Sequence, residues 1–204
     1  GGMLFGPMMG LVFAIGINLI LGMIYAFLTV TLAVNQVVVC VSINVLGLGI
    51  TSSLHKMIFG TATDKLQAPR FLPVDIPWLS DIPAIGFLFE QGILTYLGVL
   101  LVPIVYIIFF RTNWGLKIRA VGENPHAAEA MGVNVSRIRY ISILWASVFV
   151  AIGGVATTLG DIGYFVQNIT AGRGFIAFAA VIFGRFHPIG TLITVVFFGF
   201  VDAF

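Results

Sequence analysis

The first 54 residues of the chain contain no aspartate, glutamate, lysine or arginine. A helix of about 20 apolar residues crosses the hydrocarbon core of a bilayer, so this uncharged run is long enough for two crossings. The amides Asn35 and Gln36 are its natural interruption. We therefore predict two membrane-spanning helices, near residues 8–32 and 37–54, separated at this pair.

The composition of the whole chain also indicates a membrane protein. Hydrophobic residues make up 59% of the 204 residues, charged residues make up 9%, and the mean hydropathy is +1.10. Soluble domains carry about 25% charged residues. Two further apolar segments, 91–110 and 141–160, predict spans, whereas the segment 174–183 is too short for a full crossing and predicts a half-helix packed inside protein. The predicted fold class is an all-α polytopic transmembrane helical bundle.

The distribution of basic residues predicts the topology. Half of the ten lysines and arginines lie in residues 111–140, and positive residues near span ends favour the cytoplasm. We therefore expect 111–140 to be a cytoplasmic loop, and 55–90, which has four prolines and four acidic residues, to be extracytoplasmic. Because the chain begins GGMLFG and stops within an apolar run, we expect 1–204 to be a single transmembrane domain truncated at both ends.

Within the cytoplasmic loop, the stretch GENPHAAEAMG predicts a short polar helix. Asn124 is a good N-cap, Pro125 suits the first helical position, and Gly132 is a natural residue after the C-terminus. Isolated helices of two turns are marginal in water, so something must hold this one. Either the membrane domain holds it or it docks into another protein, and periodicity alone favours the first alternative.

A substrate path through the membrane predicts polar side chains within apolar spans, because such side chains are costly unless they face protein, water or ligand. Amides offer both donors and acceptors for hydroxyl groups or base edges, and an aromatic ring can stack on a base or a sugar. Hydrogen bonding between helices is the alternative explanation for each polar residue. The candidate pathway residues are Asn18, Asn35, Gln36, Ser42, Asn44, Gln167, Asn168 and Phe175.

Glycines and prolines in the spans predict two packing features. Gly2, Gly6 and Gly10 recur at every fourth position, which would place them on one helical stripe where another backbone can approach. That stripe is explained by packing within the chain or by a seam with a second copy or a related subunit. Pro7 and Pro103 are predicted to kink their helices.

Several classes of function lack support in the sequence. It contains no Gly-rich phosphate loop ending in Lys-Ser/Thr. The three histidines are scattered among different loops, whereas a zinc site needs about four clustered ligands. Ten basic residues are too few for the broad basic face that nucleic-acid binding needs. We therefore expect no catalysis by this chain, no metal site, no bound cofactor and no nucleic-acid partner.

Three segments carry a resemblance to a known family: GLKIRAVGENPHAAEAMGVNVSRIRYISILWASVFVAIGGVATTLG, NITAGRGFIAFAAVIFGRFHPIG and LTVTLAVNQVVVCVSINVLGLGITS. They resemble the permease subunits of bacterial ABC importers for nucleosides and simple sugars, a superfamily that includes ribose and branched-chain amino acid permeases. The resemblance covers almost the whole chain and is closest to the nucleoside permeases. It implies a multi-pass protein of the bacterial inner membrane that forms the translocation pathway.

The resemblance also implies partners and a role for the short helix. The partners would be ABC ATPase subunits that bind ATP and Mg, a second permease subunit in a homo- or heterodimer, an extracytoplasmic substrate-binding lipoprotein and membrane lipid. In this family the loop that contains the short helix contacts the ATPase, which makes the helix a coupling element. The coupling residues are then Gly122, Glu123, Asn124, Pro125, His126, Ala127, Ala128, Glu129, Ala130, Met131 and Gly132.

The competing class of function is a passive channel or an ion-coupled secondary carrier for small polar solutes. Ion-coupled transport usually places an ionisable residue within a span, and the first four predicted spans contain no Asp, Glu, Lys or Arg away from their edges. A channel also has no evident need of a capped cytoplasmic helix. If that helix docks into an ATPase, we expect Ala128→Asp to uncouple transport from ATP hydrolysis.

Overall fold

The computed structural model describes residues 6–59, 93–162 and 169–202. These residues contain no strand, which confirms the predicted all-α class. Two π-helical turns, Phe27–Thr31 and Ala156–Ile162, extend the first and sixth helices. The α-helices of the described residues are α1 Pro7–Ala26, α2 Gln36–Phe59, α3 Ile93–Arg111, α4 Asn113–Glu123, α5 Pro125–Ala130, α6 Val135–Val155, α7 Arg173–Phe183 and α8 Pro188–Asp202.

Four helical segments in the described part of the chain are long and apolar enough to cross a membrane. They confirm the four predicted spans, with boundaries that differ by up to two helical turns. The 11-residue α7 is only about 17 Å long at 1.5 Å per residue, so it is too short for a full crossing, as predicted. The four long segments are Pro7–Thr31, Gln36–Met57, Leu94–Arg111 and Val135–Leu159.

The two predicted loops differ in extent from the structure. Residues 55–59 continue α2, and residues 60–90 lie outside the described residues. Residues 111–140 are largely helical, since they contain α4, α5 and the start of α6. We did not predict α4 from the sequence because its residues are not apolar enough for a span, although Thr112 caps its start and Asn124 follows its last residue.

The chain divides into two compact units, and the first contains α1, α2, α6 and both π-helical turns. Gly22 of α1 lies against Ser147 of α6. Beyond the end of α1, Thr31 of the first π-helical turn shares a hydrogen bond between hydroxyl groups with Tyr140, which precedes Ser147 in α6. The two helices therefore pack antiparallel.

Small residues form the buried seam between α1 and α6. Ala26 and Ala151 are 0% and 1% exposed, and Val155 is also buried. Lipid is as apolar as the helix surfaces, so helices in a membrane associate through close packing of small residues rather than through the hydrophobic effect. This seam is the most extensive helix contact in the first unit.

The boundary between the first two spans lies where the sequence predicts it. Ala33 follows the first π-helical turn with a left-handed φ of 51°, and α2 begins at Gln36. The Oδ1 atom of Asn35 accepts a hydrogen bond from the Val37 N–H at 2.9 Å. Since the first N–H groups of a helix have no partner within the helix, Asn35 stabilises the start of α2.

Two of the glycine and proline predictions are wrong. Pro7 is the first residue of α1, where its fixed φ and missing N–H are tolerated, so it starts the helix and does not kink it. Gly6 is the N-cap residue of α1, with a φ of +86°, so Gly10 is the one member of the predicted stripe that lies within the described helix. Gly2 lies outside the described residues. Pro103 lies inside α3, as predicted.

The second unit contains α3, α4, α5, α7 and α8. Only Thr112 separates α3 from α4. Its Oγ1 donates to the Ile108 carbonyl at 2.5 Å and accepts from the Gly115 N–H at 3.2 Å. A Cβ atom on Gly115 would lie 2.5 Å from the carbonyl carbon of Phe109, so only glycine fits there. This corner fixes the direction in which α4 leaves α3.

The helices α7 and α8 form a tight hairpin. A Cβ atom on Gly184 would lie 2.6 Å from the Thr191 Cα, and one on Gly190 would lie 2.5 Å from the Gly184 carbonyl oxygen. The two glycines therefore let the backbones of the hairpin meet at its turn. α8 also packs along α3.

Candidate functional site

The predicted coupling helix is α5, Pro125–Ala130, and its N-terminus has the predicted cap. The Oδ1 atom of Asn124 accepts a hydrogen bond from the Ala127 N–H at 3.0 Å. Pro125 occupies the first helical position, where a missing N–H costs nothing. An asparagine cap of this kind contributes about 1 kcal/mol, a large share of the stability of so short a helix.

The C-terminus of α5 ends in a Schellman motif. Gly132 has the left-handed φ of +80° that this motif requires. Its N–H donates to the Glu129 carbonyl at 2.9 Å, and the Val133 N–H donates to the Ala128 carbonyl at 3.0 Å. The helix is therefore held at both ends by hydrogen bonds that the sequence encodes locally.

One side of α5 packs against α4, and the other is exposed. Val121 of α4 and Ala128 of α5 are both buried, at 4% and 5% exposed, and the two helices are in contact. Met131 is 84% exposed. The remaining exposed coupling residues are Gly122, Glu123, Asn124, His126, Ala127, Glu129, Ala130 and Gly132. Because a buried unpaired carboxylate is costly, Ala128→Asp would destabilise α5 itself and does not test docking.

A cluster of aromatic rings lies beside the α3–α4 corner, and the sequence analysis did not find it. The rings of Tyr106 and Phe110, one turn apart on α3, stack at 5.1 Å between centroids. The His187 ring from the α7–α8 turn contacts both, at 5.6 Å and 5.0 Å. The Arg119 guanidinium of α4 lies over the Phe110 ring at 4.8 Å. We call Tyr106, Phe110 and His187 the ring cluster.

The turn that carries His187 has a strained backbone. Arg185 and Phe186 have left-handed φ angles of 55° and 56°, a conformation that costs a residue with a side chain about 1–2 kcal/mol. The Arg185 N–H donates to the Ile182 carbonyl at 2.9 Å, and the Phe186 N–H donates to the Val181 carbonyl at 3.0 Å. This is a second Schellman motif, with arginine in the position that glycine usually takes.

Among the pathway candidates, Asn18 lines a cavity. The cavity, about 250 Å³ in volume, lies within the first unit and is also lined by Tyr25, Cys40 and Ser147. The Asn18 Nδ2 donates to the Ala14 carbonyl at 3.0 Å, so part of the amide is satisfied within α1.

The pathway candidates at the start of α2 lie outside this cavity. Asn35 caps α2, and the Ser42 hydroxyl donates to the Val38 carbonyl one turn back at 2.8 Å. Gln36 and Asn44 have exposed side chains on α2. Local hydrogen bonds therefore account for the Asn35 Oδ1 and the Ser42 hydroxyl without a ligand.

The other pathway candidates lie outside the first unit or outside the described residues. Phe175, on α7 of the second unit, is 70% exposed. Gln167 and Asn168 are not among the described residues. Within residues 6–59, 93–162 and 169–202, no three His, Cys, Asp or Glu side chains are grouped as a metal site would require.

Comparison with known proteins identifies several relatives over nearly the full length of the chain. The chain is 38% identical over 201 residues to a guanosine ABC transporter permease protein of Bacillus subtilis, with 97% of the chain and 62% of the relative covered. It is 34% identical to a putative glucose ABC transporter permease protein of Haloferax volcanii, covering 94% of the chain and 59% of the relative. A nucleoside ABC transporter permease protein of Lactococcus lactis is 29% identical, with 95% and 61% covered.

The chain thus spans about three fifths of the length of these curated relatives. No solved structure matches it. The family model described as branched-chain amino acid transport system / permease component matches residues 2–204. The described residues contain four helices able to cross a membrane, so the chain is a multi-pass membrane protein, and it belongs to the family of branched-chain amino acid transport system permease components.

Proposed function

We propose that this chain forms the translocation pathway of an ATP-binding cassette importer for nucleosides, with simple sugars as the second substrate class. Its membership of the permease family supports a transport role, and the guanosine and nucleoside relatives support the first substrate class. The glucose relative supports the second. The importer would lie in the bacterial inner membrane.

The single observation that carries coupling to a partner is the geometry of α5. It has only six residues, and isolated helices of this length are unstable in water. The Asn124 cap and the Gly132 motif hold it in place although its exposed side has no partner in this chain's described residues. We infer that the exposed side is built to enter a groove on an ATPase subunit.

The proposed interface has a slim, weakly apolar surface. Ala127 and Ala130 keep the helix narrow, and Met131 offers a flexible apolar side chain that is 84% exposed. Methionine adapts its shape to irregular pockets. Burying such a side chain contributes about 1.5–3 kcal/mol, enough for one residue to make a measurable difference to coupling.

The proposed assembly assigns different tasks to its subunits. The ATPase subunits would bind ATP and Mg and hydrolyse the nucleotide, while this chain would bind no cofactor and carry out no chemistry. A second permease subunit would complete the pathway, and an extracytoplasmic binding lipoprotein would deliver the substrate. We propose that Asn18 and its cavity contribute to the pathway within the first unit, because the lining combines an amide, hydroxyl groups and apolar walls.

The same proposal includes three further pathway residues. Phe175 presents an exposed ring suited to stacking on a base. Gln36 and Asn44 have exposed side chains, and we propose that their amides face a second subunit or the substrate. A channel or ion-coupled carrier is not favoured, because the described spans carry Lys and Arg only near their ends and no Asp or Glu.

The first test is uptake of labelled guanosine and uridine by proteoliposomes that contain the complete permease, its ATPase and the binding protein. We expect uptake to require ATP and to resist an excess of ribose. Uptake that ribose abolishes would assign the importer to simple sugars. Uptake that does not depend on ATP would overturn the proposal.

The second test compares two methionines with the same exposure. Met131 on the coupling side and Met57 at the end of the second span are both 84% exposed. We expect Met131→Gln to lower ATP-driven uptake roughly tenfold, because the loss of one buried methionine side chain exceeds 1.4 kcal/mol. Met57→Gln is the control and should leave uptake unchanged. Equal effects of the two changes would contradict the assignment of α5 as the interface.

A further inference from the structure

The ring cluster joins two parts of the second unit that are far apart in sequence. Tyr106 and Phe110 lie one turn apart on α3, and the His187 ring contacts both at 5.6 Å and 5.0 Å between centroids. His187 is the residue immediately before α8. The contact therefore attaches the turn of the α7–α8 hairpin to the end of α3.

Phe110 contacts the coupling segment as well as the hairpin. The Arg119 guanidinium of α4 lies 4.8 Å from the centre of the Phe110 ring, a distance at which a cation is attracted to an aromatic face. α4 in turn packs against α5, and each helix has a buried residue, Val121 in α4 and Ala128 in α5. Phe110 thus lies between α4, which packs against α5, and the turn that contains His187.

The elements on both sides of Phe110 are stiff. On one side, the Thr112 hydroxyl and the close approach at Gly115 fix α4 to the end of α3. On the other side, Gly184 and Gly190 bring the hairpin backbones into contact. A displacement at either end is therefore passed to the rings and is not absorbed in a flexible loop.

The backbone of the turn before His187 is strained. Arg185 and Phe186 both adopt left-handed φ angles, and such strained residues persist only where the surroundings hold them. The contact of His187 with α3 supplies part of that restraint. A shift of Phe110 would weaken the restraint and let the turn relax.

We propose that His187, held between Tyr106 and Phe110, transmits movement of the coupling segment α4–α5 to the α7–α8 hairpin. His187 is a positioning residue in this mechanism, since it acts through the hairpin and touches neither nucleotide nor partner. The proposal rests on the proposed function, because it requires that α5 moves when an ATPase subunit moves. It adds the route by which that movement reaches a membrane helix.

The test measures uptake and ATP hydrolysis in the same proteoliposomes, made with the complete permease, its ATPase and the binding protein. His187→Ala removes the ring and should lower the number of substrates imported per ATP hydrolysed roughly tenfold, a typical size for coupling between sites. His187→Phe keeps a ring between Tyr106 and Phe110 and should restore most of that ratio. Phe13→Ala removes a half-exposed ring on α1, outside the cluster, and is the matched control.

Phe110→Leu provides a second variant that keeps apolar volume but removes the aromatic face for both His187 and Arg119. It should lower the same ratio, even if His187→Ala fails to insert. A normal ratio in Phe110→Leu and in any inserted His187→Ala protein would overturn the link while leaving the importer assignment intact. If the unchanged protein shows no ATP-driven uptake, the proposed function fails and the link fails with it.

Discussion

Gly22 of α1 faces Ser147 of α6 so closely that a Cβ atom on Gly22 would lie 2.9 Å from the Ser147 Cβ. Real carbon atoms in contact keep roughly 3.5–4.0 Å between them. The seam around this pair is formed by small residues, including Ala26 and Ala151. The close approach of Gly22 and Ser147 therefore limits the distance between α1 and α6.

The first prediction concerns this contact. Gly22→Ala should separate α1 from α6 and lower the stability of the folded permease by about 1–3 kcal/mol, the usual cost of overpacking. The effect is measured as the fraction of folded protein that remains after heating in detergent, determined by size-exclusion chromatography. Gly16→Ala on the same helix is the control, because a Cβ atom there would meet nothing within 4 Å.

A double substitution separates the clash from other effects at Gly22. Ser147→Gly removes the atoms that the new methyl group would meet, so Gly22→Ala combined with Ser147→Gly should lose less stability than the two single changes together. Strict additivity of the single changes would show that the contact is not the cause.

The second prediction compares two asparagine caps. Asn124 caps α5 and Asn134 caps α6, with N–H to Oδ1 distances of 3.0 Å and 2.9 Å. Each substitution by alanine should cost about 1 kcal/mol of local helix stability. Asn124→Ala should lower ATP-driven uptake several-fold, because the six-residue α5 has few other stabilising contacts. Asn134→Ala should change uptake little, since α6 has 21 residues and packs along α1.

Hydrogen exchange at the Ala127 amide provides the structural readout for these caps. It should become faster in Asn124→Ala and remain unchanged in Asn134→Ala. Equal loss of uptake in both variants would contradict the view that the Asn124 cap serves the coupling helix specifically.

The third prediction concerns the strained turn at Arg185. Its left-handed φ costs about 1–2 kcal/mol, while glycine loses roughly 0.5–1 kcal/mol more conformational entropy on folding. Arg185→Gly should therefore stabilise the protein by about 0.5–1 kcal/mol, measured as a higher midpoint of thermal unfolding. Arg185→Ala keeps the strain and should give no comparable gain. A lower midpoint in Arg185→Gly would mean that the arginine side chain stabilises the protein by more than the strain it causes.

The fourth prediction concerns the corner between α3 and α4. Thr112→Val removes both hydrogen bonds of the hydroxyl, to Ile108 and from Gly115, and should cost about 1 kcal/mol or more. Thr112→Ser keeps the hydroxyl and should behave like the unchanged protein. We expect Thr112→Val, but not Thr112→Ser, to lower the number of substrates imported per ATP hydrolysed. Equal ratios in both variants would show that the corner does not serve coupling.

Hydropathy and local turn chemistry account for most of what the sequence predicted correctly. The uncharged run broken at Asn35 and Gln36 gave two spans with the boundary in the right place. Asn124, Pro125 and Gly132 correctly marked the ends of α5. These signals are readable because each depends on a residue and its near neighbours in the chain.

The burial of Ala128 and the ring cluster could not be predicted from neighbouring residues in the sequence. Nothing in the sequence distinguishes Ala128 from Ala127 or Ala130 as the buried alanine of α5. His187 was noted only as one of three scattered histidines, although the spacing of Tyr106 and Phe110 on α3 was a signal for an aromatic contact surface. The identity of the third ring depends on the position of the α7–α8 turn, which the sequence does not show.

Two glycines show which features depend on the local sequence and which depend on tertiary contacts. At Gly132 the glycine serves a local need for a left-handed φ, so the sequence alone determined its role. At the end of α7 the left-handed position is Arg185, and the glycine lies one residue earlier at Gly184, where Thr191 of α8 leaves no room for a side chain. The sequence by itself determined the spans and the caps, since these depend on hydropathy and local hydrogen bonds. Only the tertiary structure decided this placement, because the contact joins backbones from two different helices.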